Sequence, residues 1–325
     1  MNLFAPMAAA MVTVLLTSVI LHGRLGKGAM DVPNERSLHQ KPIPRIGGVA
    51  LMAGVLSGWT LMFDVLTWWL AVPVLGLFAV SLLDDFYSLS VKKRLPMHLL
   101  AAAVLVWGSG LVLQHGWAVS LVVLLLTVWM TNLYNFMDGS DGLAGGMAVF
   151  GFIFYGLAAM VAHNDALAML NFVVAAAALG FLFSNFHPAR IFMGDAGSIP
   201  LGFLAAGMGL WGWQSGCWPV WFPVLVFSPF IVDASVTLTR RALRGAKITE
   251  AHREHYYQRA IQMGWGHRNV ALVEYGLMLA VGVSALGALE HLWSSVALLT
   301  WVVIYTGSMA VLDMRWNKTK RRQDA

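Results

Sequence analysis

One polar motif in this chain carries residue types that bind metal ions and phosphates. It covers residues 132–146 (NLYNFMDGSDGLAGG) and lies between two long apolar runs. Asp138 and Asp141 are three residues apart, so one helical turn would place both carboxylates on the same face. Its glycines permit a ligand to approach the backbone closely. These hard oxygen ligands suit magnesium, which usually keeps waters and substrate phosphates, whereas the pattern of a calcium loop is missing.

Three further carboxylates lie at the ends of apolar runs. Asp84 and Asp85 directly follow the apolar stretch 75–83, and acidic residues at a membrane helix end are costly unless paired or bound to a cation. They suggest a magnesium or proton-transfer site, and a hydrated helix end without a role is the alternative. Asp195 lies between two glycines at the start of another run. That arrangement is typical of a helix N-terminus that binds an anion, or of a simple capping turn.

Basic residues that could contact a phosphate lie in three polar segments. Lys92, Lys93 and Arg94 follow the paired aspartates closely enough to neutralise a phosphate. Segment 23–45 holds asparagine, arginine, histidine and lysine between prolines, which suggests either phosphate contacts or an ordinary basic loop near lipid headgroups. Segment 240–269 is the longest and most basic of the three.

Segment 240–269 contains two histidines, His252 and His255, which would face the same way on a helix. Zinc is the weaker interpretation, because a third ligand and the glutamate-bearing pattern of zinc proteases are missing. Contacts from histidine and arginine to phosphate or nucleotide fit better. Asp233 lies in an apolar run shortly before two arginines, so it is either a functional intramembrane carboxylate or their ion-pair partner.

The composition indicates a polytopic membrane protein. Of 325 residues, 58% are hydrophobic and 11% are charged, with a mean hydropathy of +0.69, whereas soluble domains are about 45–50% apolar and about 25% charged. The net charge of +5 is explained by loops that face anionic lipid, without nucleic acid. The single cysteine, Cys217, excludes an intramolecular disulfide. We expect one integral-membrane domain over residues 1–325.

Eleven apolar runs have about the length that crosses a bilayer, and the first lacks the features of a cleaved signal peptide. The predicted spans are 3–22, 46–63, 66–83, 97–114, 117–134, 143–162, 166–184, 199–214, 219–239, 270–289 and 292–312. All 21 lysines and arginines fall on alternate connections, which the positive-inside rule makes cytoplasmic. The sequence therefore predicts an all-α protein with its N-terminus outside and its C-terminus inside.

This topology brings every polar motif to the cytoplasmic face, so we expect one shared site there. Carboxylates with lysine, arginine and histidine suggest metal-assisted phosphoryl transfer to an acceptor in the bilayer. A membrane transporter is the competing class, but transporter sites tend to lie at the midplane in broken helices. A non-catalytic scaffold would not need so many carboxylates.

The motifs and their order resemble the polyprenyl-phosphate N-acetylhexosamine-1-phosphate transferases over essentially the whole chain. The resemblance rests on the aspartates at 84–85, the block 132–144 (NLYNFMDGSDGLA), the block 185–198 (NFHPARIFMGDAGS) and the two histidines at 252 and 255. It implies a multi-pass enzyme of the bacterial inner membrane whose active site faces the cytoplasm. The implied reaction moves a sugar phosphate from a UDP-N-acetylhexosamine to undecaprenyl phosphate and releases UMP.

Two branches of this family are distinguished by their last large cytoplasmic loop. The phospho-N-acetylmuramoyl-pentapeptide transferase of peptidoglycan synthesis carries three adjacent histidines where this chain reads HREH at 252–255. That difference, the short chain and the segment PNERSLH at 33–39 resemble the branch that starts O-antigen and surface-polysaccharide synthesis. N-acetylglucosamine and deoxy relatives such as N-acetylfucosamine or N-acetylquinovosamine are all open as the sugar.

The resemblance also implies residue roles. Asp195 and Asp138 would bind Mg²⁺, for which Mn²⁺ is an alternative, and Asp84 would deprotonate or position the lipid phosphate. The implied catalytic residues are Asp84, Asp85, Asp138 and His255. The implied substrate-binding residues are Lys92, Asn132, Asn135, Asp141, Asn185, His252 and Arg259. The partners are the UDP-sugar, undecaprenyl phosphate and membrane lipid, with a monomer or a homodimer open, as are direct attack and a phospho-enzyme intermediate.

Overall fold

The computed structural model describes most of the chain, and the described part is almost entirely helical. The described residues are 3–23, 29–33, 42–247, 252–289 and 293–323. Four of the side chains for which the sequence suggests phosphate contacts in the first loop lie outside them: Asn34, Arg36, His39 and Lys41.

Thirteen α-helices and one small sheet make up the described fold. The first seven helices are α1 (Phe4–His22), α2 (Gly47–Thr60), α3 (Trp68–Tyr87), α4 (Val91–Gly108), α5 (Leu111–Phe136), α6 (Leu143–Val161) and α7 (Asp165–Asn185). The others are α8 (Asp195–Gln214), α9 (Trp221–Val226), α10 (Ser228–Leu243), α11 (Tyr256–Ala260), α12 (Gly266–Gly287) and α13 (Ser294–Gln323). Antiparallel strands β1 (Met30–Asp31) and β2 (Ile43–Pro44) precede α2, and a π-helical turn joins α11 to α12.

The prediction of an all-α polytopic membrane protein is confirmed. In the described chain, seven helical segments are long and apolar enough to cross a membrane: α1, α3, α5, α6, α7, the α11–α12 segment and α13. Each of the eleven predicted spans overlaps a helix, and the ninth overlaps α9 and α10 together. Helices α2 and α10 have only 14 and 16 residues, so the count of eleven and the orientation stay predictions.

Close helix contacts fix the start of α8, on which the acidic motifs converge. A Cβ on Gly48 would lie 2.2 Å from the amide nitrogen of Gly197, and one on Gly202 would lie 2.7 Å from the carbonyl oxygen of Met130. Only glycine allows α8 to approach α2 and α5 so closely. The segment before α8 is also tied to α2, because the Gly48 amide donates to the Met193 carbonyl at 2.7 Å.

Helix α13 is the least embedded of the candidate spans. Only 6% of its most apolar window is buried inside the protein, compared with 72% for α6. Large apolar side chains such as Leu299, Val302 and Val303 are exposed on it, as expected for a helix that faces lipid. Its described contacts are chiefly with α11 and α12.

Candidate active site

The end of α3 meets the start of α8 through Asp85. The amides of Asp195 and Ala196 donate to the two carboxylate oxygens of Asp85, each at 3.0 Å. These amides belong to the first turn of α8, where helix N–H groups have no partner within the helix and favour negative charge. Asp85 therefore caps α8 and brings Asp84 next to Asp195.

Gly194, immediately before α8, is required by this close approach. Its φ is +70°, and a Cβ here would lie 2.1 Å from the Arg45 carbonyl oxygen and 2.8 Å from an Asp85 oxygen. The Arg45 guanidinium also donates to the main-chain carbonyl of Asp85. The glycine in the motif is therefore a structural requirement of the site, since an L side chain would be strained and would clash.

Arg94 joins two of the predicted aspartates. Its Nη1 donates to Asp84 Oδ2 at 2.6 Å and to Asp195 Oδ2 at 2.7 Å. Lys92, the basic residue predicted to bind phosphate, is exposed and has no hydrogen bond or ion pair with any described residue. Because α4 begins at Val91, residues two apart point to different sides of the helix. If the sequence had indicated that α4 begins at Val91, the different directions of Lys92 and Arg94 could have been predicted.

Asn135 and Ser198 complete the surroundings of Asp195. The Asn135 side-chain nitrogen donates to Asp195 Oδ1 at 2.8 Å and to the Ser198 hydroxyl at 2.9 Å. Asn132 lies one turn earlier on α5 and donates instead to the Val128 carbonyl at 2.7 Å. The structure thus brings Asn135 to Asp195, whereas Asn132 bonds to its own helix and to His98, and the sequence did not single out Ser198.

Asp138 is the unbalanced group of the site. Burial raises the pKa of Asp138 well above its usual range, and the nearby charges of Asp195 and Asp85 raise it further. Its carboxylate has no hydrogen-bond or ion-pair partner among the described residues, although its amide donates to the Asn135 carbonyl at 3.2 Å. Burial likewise raises the pKa of Asp195, as do Asp84 and Asp85. We call Asp84, Asp85, Asp138, Asp195, Arg94 and Asn135 the carboxylate cluster.

The carboxylate cluster fits a divalent cation with hard oxygen ligands. Its four carboxylates outnumber the two guanidinium groups of Arg45 and Arg94 that face them. No group of three or more His, Cys, Asp and Glu in the described chain is arranged to hold a metal ion alone. Magnesium often uses one or two carboxylates and completes its shell with waters and substrate phosphates. Asp138 and Asp195 are the residues that would hold it.

The two predicted histidines lie together beside the end of α5. Their ring centroids are 4.9 Å apart. His255 also stacks on Phe136 with centroids 6.5 Å apart, and the Tyr257 hydroxyl donates to the Phe136 carbonyl at 3.2 Å. Burial, and then the charges of His255 and Arg241, lower the pKa of His252 to about 4. We call residues 252–260 the histidine segment; it contacts the chain two residues before Asp138.

Asp233 holds the start of α11. Its carboxylate accepts from the amides of Tyr256 and Tyr257 at 2.9 and 3.0 Å, and Oδ1 lies 3.2 Å from His255 Nδ1. The sequence left open a functional carboxylate or a pair with Arg240 and Arg241. In the structure Asp233 instead caps a short helix and orients His255.

Arg259 forms an ion pair with Asp313 of α13. Its Nη1 donates to Asp313 Oδ1 at 3.0 Å, while Arg240 and the Tyr256 hydroxyl donate to Oδ2 at 2.6 and 3.2 Å. Asp313 was not identified from the sequence, although it is a single acidic residue just beyond the last predicted span. The guanidinium of Arg259 is therefore used within the protein, and its contact with substrate stays a prediction.

Asp141 and Asn185 join the polar loops. Asp141 Oδ2 lies 2.6 Å from His187 Nδ1 and accepts from the Ala189 amide at 3.2 Å. Asn185 accepts from the Gly142 amide at 3.1 Å and donates to the Ile191 carbonyl at 2.9 Å. Both polar atoms of the Asn185 amide are thus used between loops. Substrate contacts by Asp141 and Asn185 stay predictions.

Comparisons with known proteins found a matching family model and several relatives. A family model described as glycosyl transferase family 4 matches residues 67–212. A Bacillus subtilis protein named "Probable undecaprenyl-phosphate N-acetylglucosaminyl 1-phosphate transferase" is 30% identical over 91% of this chain and 88% of its own length. A phospho-N-acetylmuramoyl-pentapeptide-transferase of Moorella thermoacetica is 30% identical over 86% of this chain and 95% of its own. An undecaprenyl-phosphate alpha-N-acetylglucosaminyl 1-phosphate transferase of Yersinia pestis is 28% identical over 80% and 77%.

Proposed function

We propose a function for this chain from the family to which it belongs: it is a member of glycosyl transferase family 4, the superfamily of polyprenyl-phosphate N-acetylhexosamine-1-phosphate transferases. The resemblance predicted from the motifs is confirmed. The proposed reaction transfers N-acetylhexosamine-1-phosphate from a UDP-N-acetylhexosamine to undecaprenyl phosphate and releases UMP. The proposed location is the cytoplasmic face of the bacterial inner membrane, and the positive charge of the loops that carry the site supports it.

The carboxylate cluster is the observation that supports this proposal. An oxygen of the lipid phosphate attacks the phosphorus bonded to the sugar, and the bond from that phosphorus to the UMP oxygen breaks. Asp84 accepts or orients the proton of the lipid phosphate, while Arg94, already 2.6 Å from Asp84, provides the adjacent positive charge. Bound magnesium would offset the charge of the pyrophosphate. Positioning and electrostatic stabilisation can supply much of the rate enhancement, so no side-chain nucleophile is needed.

Asn135 and Asp85 act on this site through Asp195. Asn135 fixes one carboxylate oxygen of Asp195 at 2.8 Å, and Asp85 fixes its backbone at 3.0 Å. Asp195 is thereby held in one orientation before substrate arrives. The histidine segment supplies His252 and His255 for the sugar or the pyrophosphate, beside the end of α5.

We place the chain in the branch that starts surface-polysaccharide synthesis, including O-antigen. Two of the three relatives above are named for the transfer of N-acetylglucosaminyl 1-phosphate, and HREH at 252–255 differs from three adjacent histidines. The alternative is the peptidoglycan reaction, because another relative carries that name. Which N-acetylhexosamine is used depends on contacts that the motifs do not specify.

The test supplies purified protein with undecaprenyl phosphate, magnesium and one donor at a time from a panel. The panel contains UDP-N-acetylglucosamine, its N-acetylfucosamine and N-acetylquinovosamine counterparts, and UDP-N-acetylmuramoyl-pentapeptide. We expect one N-acetylhexosamine to give UMP and a lipid product whose mass equals undecaprenyl phosphate plus the sugar phosphate. Product from the pentapeptide donor alone would move the chain to the peptidoglycan branch. The absence of lipid product from every donor would refute the proposed function.

A further inference from the structure

Arg45 ends the basic segment 23–45, and the structure places its side chain beside the carboxylate cluster. The half-buried guanidinium donates from Nη2 to the main-chain carbonyl of Asp85. Its positive charge also acts on the Asp85 carboxylate. For this segment the sequence left open phosphate contacts or an ordinary basic loop near lipid headgroups. The position of Arg45 at the site favours the first.

The backbone of Arg45 is held next to the start of α8. Its amide donates to the Ala29 carbonyl at 2.9 Å. Its own carbonyl oxygen lies so close to Gly194 that a Cβ on that glycine would be 2.1 Å away. Gly194 directly precedes Asp195, which we expect to bind the cation. The guanidinium is therefore carried by a fixed segment that adjoins the proposed cation site.

The two arginines of the carboxylate cluster use their charges differently. Arg94 bridges Asp84 and Asp195 through Nη1, at 2.6 and 2.7 Å. Within the described chain, Arg45 forms no ion pair, and its guanidinium donates through Nη2 to an uncharged carbonyl. Its Nη1 has no partner there, and neither does its buried Nε. A guanidinium can bind two oxygens of a phosphate at once, so Arg45 keeps both charge and donors for an anion.

Capping of α3 is the simpler role for Arg45. The Asp85 carbonyl lies in the last turn of α3, where carbonyls lack partners within the helix and attract cations. That contact uses Nη2 alone, and the end of a helix carries only about half an elementary charge. Capping therefore fixes the direction of the guanidinium without neutralising it.

We propose that Arg45 binds the diphosphate of the nucleotide-sugar donor. This inference rests on the proposed function, because the donor is the UDP-N-acetylhexosamine named there. A diphosphate bound at Asp195 would lie at the start of α8, which Arg45 adjoins. The Arg45 guanidinium donates to its oxygens and offsets part of the repulsion from the four carboxylates. Arg94, already bonded to Asp84, is left for the phosphate of the lipid acceptor.

Nucleotide binding tests this proposal without requiring turnover. The full-length protein is titrated calorimetrically, in the presence of magnesium, with UDP and separately with uridine, which has no phosphate. We expect Arg45→Gln to weaken UDP binding about tenfold to a hundredfold, because a hydrogen bond between charged groups is lost. Uridine binding should not change, and this result also shows that the nucleoside site of the variant is folded.

Two further variants complete the test. Arg45→Lys keeps a charged donor for the Asp85 carbonyl but lacks the planar fork. It should weaken the binding of UDP and not of uridine, and it decides the matter if Arg45→Gln does not fold. Arg268→Gln is the matched control, since Arg268 is an exposed base at the start of α12. We expect it to bind UDP as the unmodified protein does.

Two outcomes in a folded Arg45 variant would overturn the proposal alone. An equal loss of affinity for UDP and uridine would mean that Arg45 only caps α3. Unchanged affinity for UDP would remove Arg45 from the diphosphate site, and a raised KM for undecaprenyl phosphate in the same variant would assign it to the lipid acceptor. If the unmodified protein did not bind UDP, the proposed donor would be refuted together with this inference.

Discussion

The carboxylate cluster and the histidine segment both depend on charged side chains, but their charges are balanced differently. In the cluster, four carboxylates meet two guanidinium groups, and Asp138 has no partner in the described chain. In the histidine segment, Asp233 faces His255 and Asp313 faces Arg259. An excess of like charge is stable only if something offsets it. The cluster is therefore the site that we propose for a cation and phosphates, whereas paired charges position the segment.

The largest effect should come from Asp195. Replacing it by asparagine keeps the shape of the side chain but removes the charge that Arg94 and a cation would meet. We expect Asp195→Asn to lower kcat by about 10²–10³, the range for loss of one preorganised electrostatic group, as measured by UMP release at saturating substrate. Asp165→Asn is the control, since Asp165 is an exposed carboxylate at the start of α7. A variant at position 195 with near-normal turnover would remove it from the cluster's chemistry.

Variants of Arg94 and Lys92 test whether contact with the aspartates, and not closeness in sequence, determines the effect of a basic residue on turnover. Arg94→Gln should reduce turnover by about tenfold to a hundredfold, because it leaves Asp84 and Asp195 facing each other without the bridging charge. Lys92→Gln, on an exposed residue two positions earlier, should stay close to the unmodified rate. Assays of both variants under one set of conditions give the comparison. A larger loss at position 92 would contradict the arrangement seen here.

Asp138 should show opposite effects on stability and activity. Asp138→Asn removes a carboxyl group whose ionisation is disfavoured by burial and by the charges of Asp195 and Asp85, so the thermal unfolding midpoint without divalent cations should rise by about 2–4 °C. Turnover should fall, because a ligand for the cation is lost. Circular dichroism with and without magnesium measures the first effect and UMP release the second. A fall in both quantities would mean that Asp138 is held by a contact and not strained by charge.

Asp313 should affect substrate affinity more than the chemical step. Asp313→Asn weakens the contacts to Arg259 and Tyr256 that fix α11. We expect the KM for the UDP-sugar to rise about threefold to tenfold with kcat nearly unchanged, because each charged contact contributes modestly. Asp313→Glu should restore part of the affinity. An equal loss in kcat would indicate that the histidine segment takes part in the transition state.

The smallest effect should be the pH dependence of His252. Its pKa is lowered from 6.5 to about 4 in the folded protein. Between pH 6.5 and pH 4, His252 is protonated in the unfolded chain but stays neutral in the folded chain. The free energy of unfolding therefore falls as the pH falls. Above pH 6.5 this residue contributes no pH dependence. Comparing thermal unfolding at pH 7 and pH 5, we expect His252→Gln to lose less stability than the unmodified protein. Equal losses would contradict this.

The positions of most helices can be predicted from local sequence, whereas the pairs that charged side chains form cannot. Apolar run length places every helix that could span the membrane, since burial of the backbone in lipid demands helices. It misplaces the start of α4, predicted at 97 and observed at Val91, because a hydropathy count stops at the basic residues 92–94. Without the observed start of α4, the sequence does not distinguish Arg94, which contacts the aspartates, from Lys92, which does not. The sequence also did not predict the contact between Asp233 and His255. Arg240 and Arg241 were the suggested partners because they are close in sequence, whereas His255 lies 22 residues away.

Metal binding in the presence of nucleotide tests the central claim most directly. Manganese, as a paramagnetic substitute for magnesium, is titrated with UDP into the unmodified protein, Asp195→Asn and His255→Gln, and bound ion is measured by electron paramagnetic resonance. We expect the unmodified protein and His255→Gln to bind the ion and Asp195→Asn not to bind it. Retention of the ion by Asp195→Asn together with its loss in His255→Gln would contradict it, since the metal site would then belong to the histidine segment.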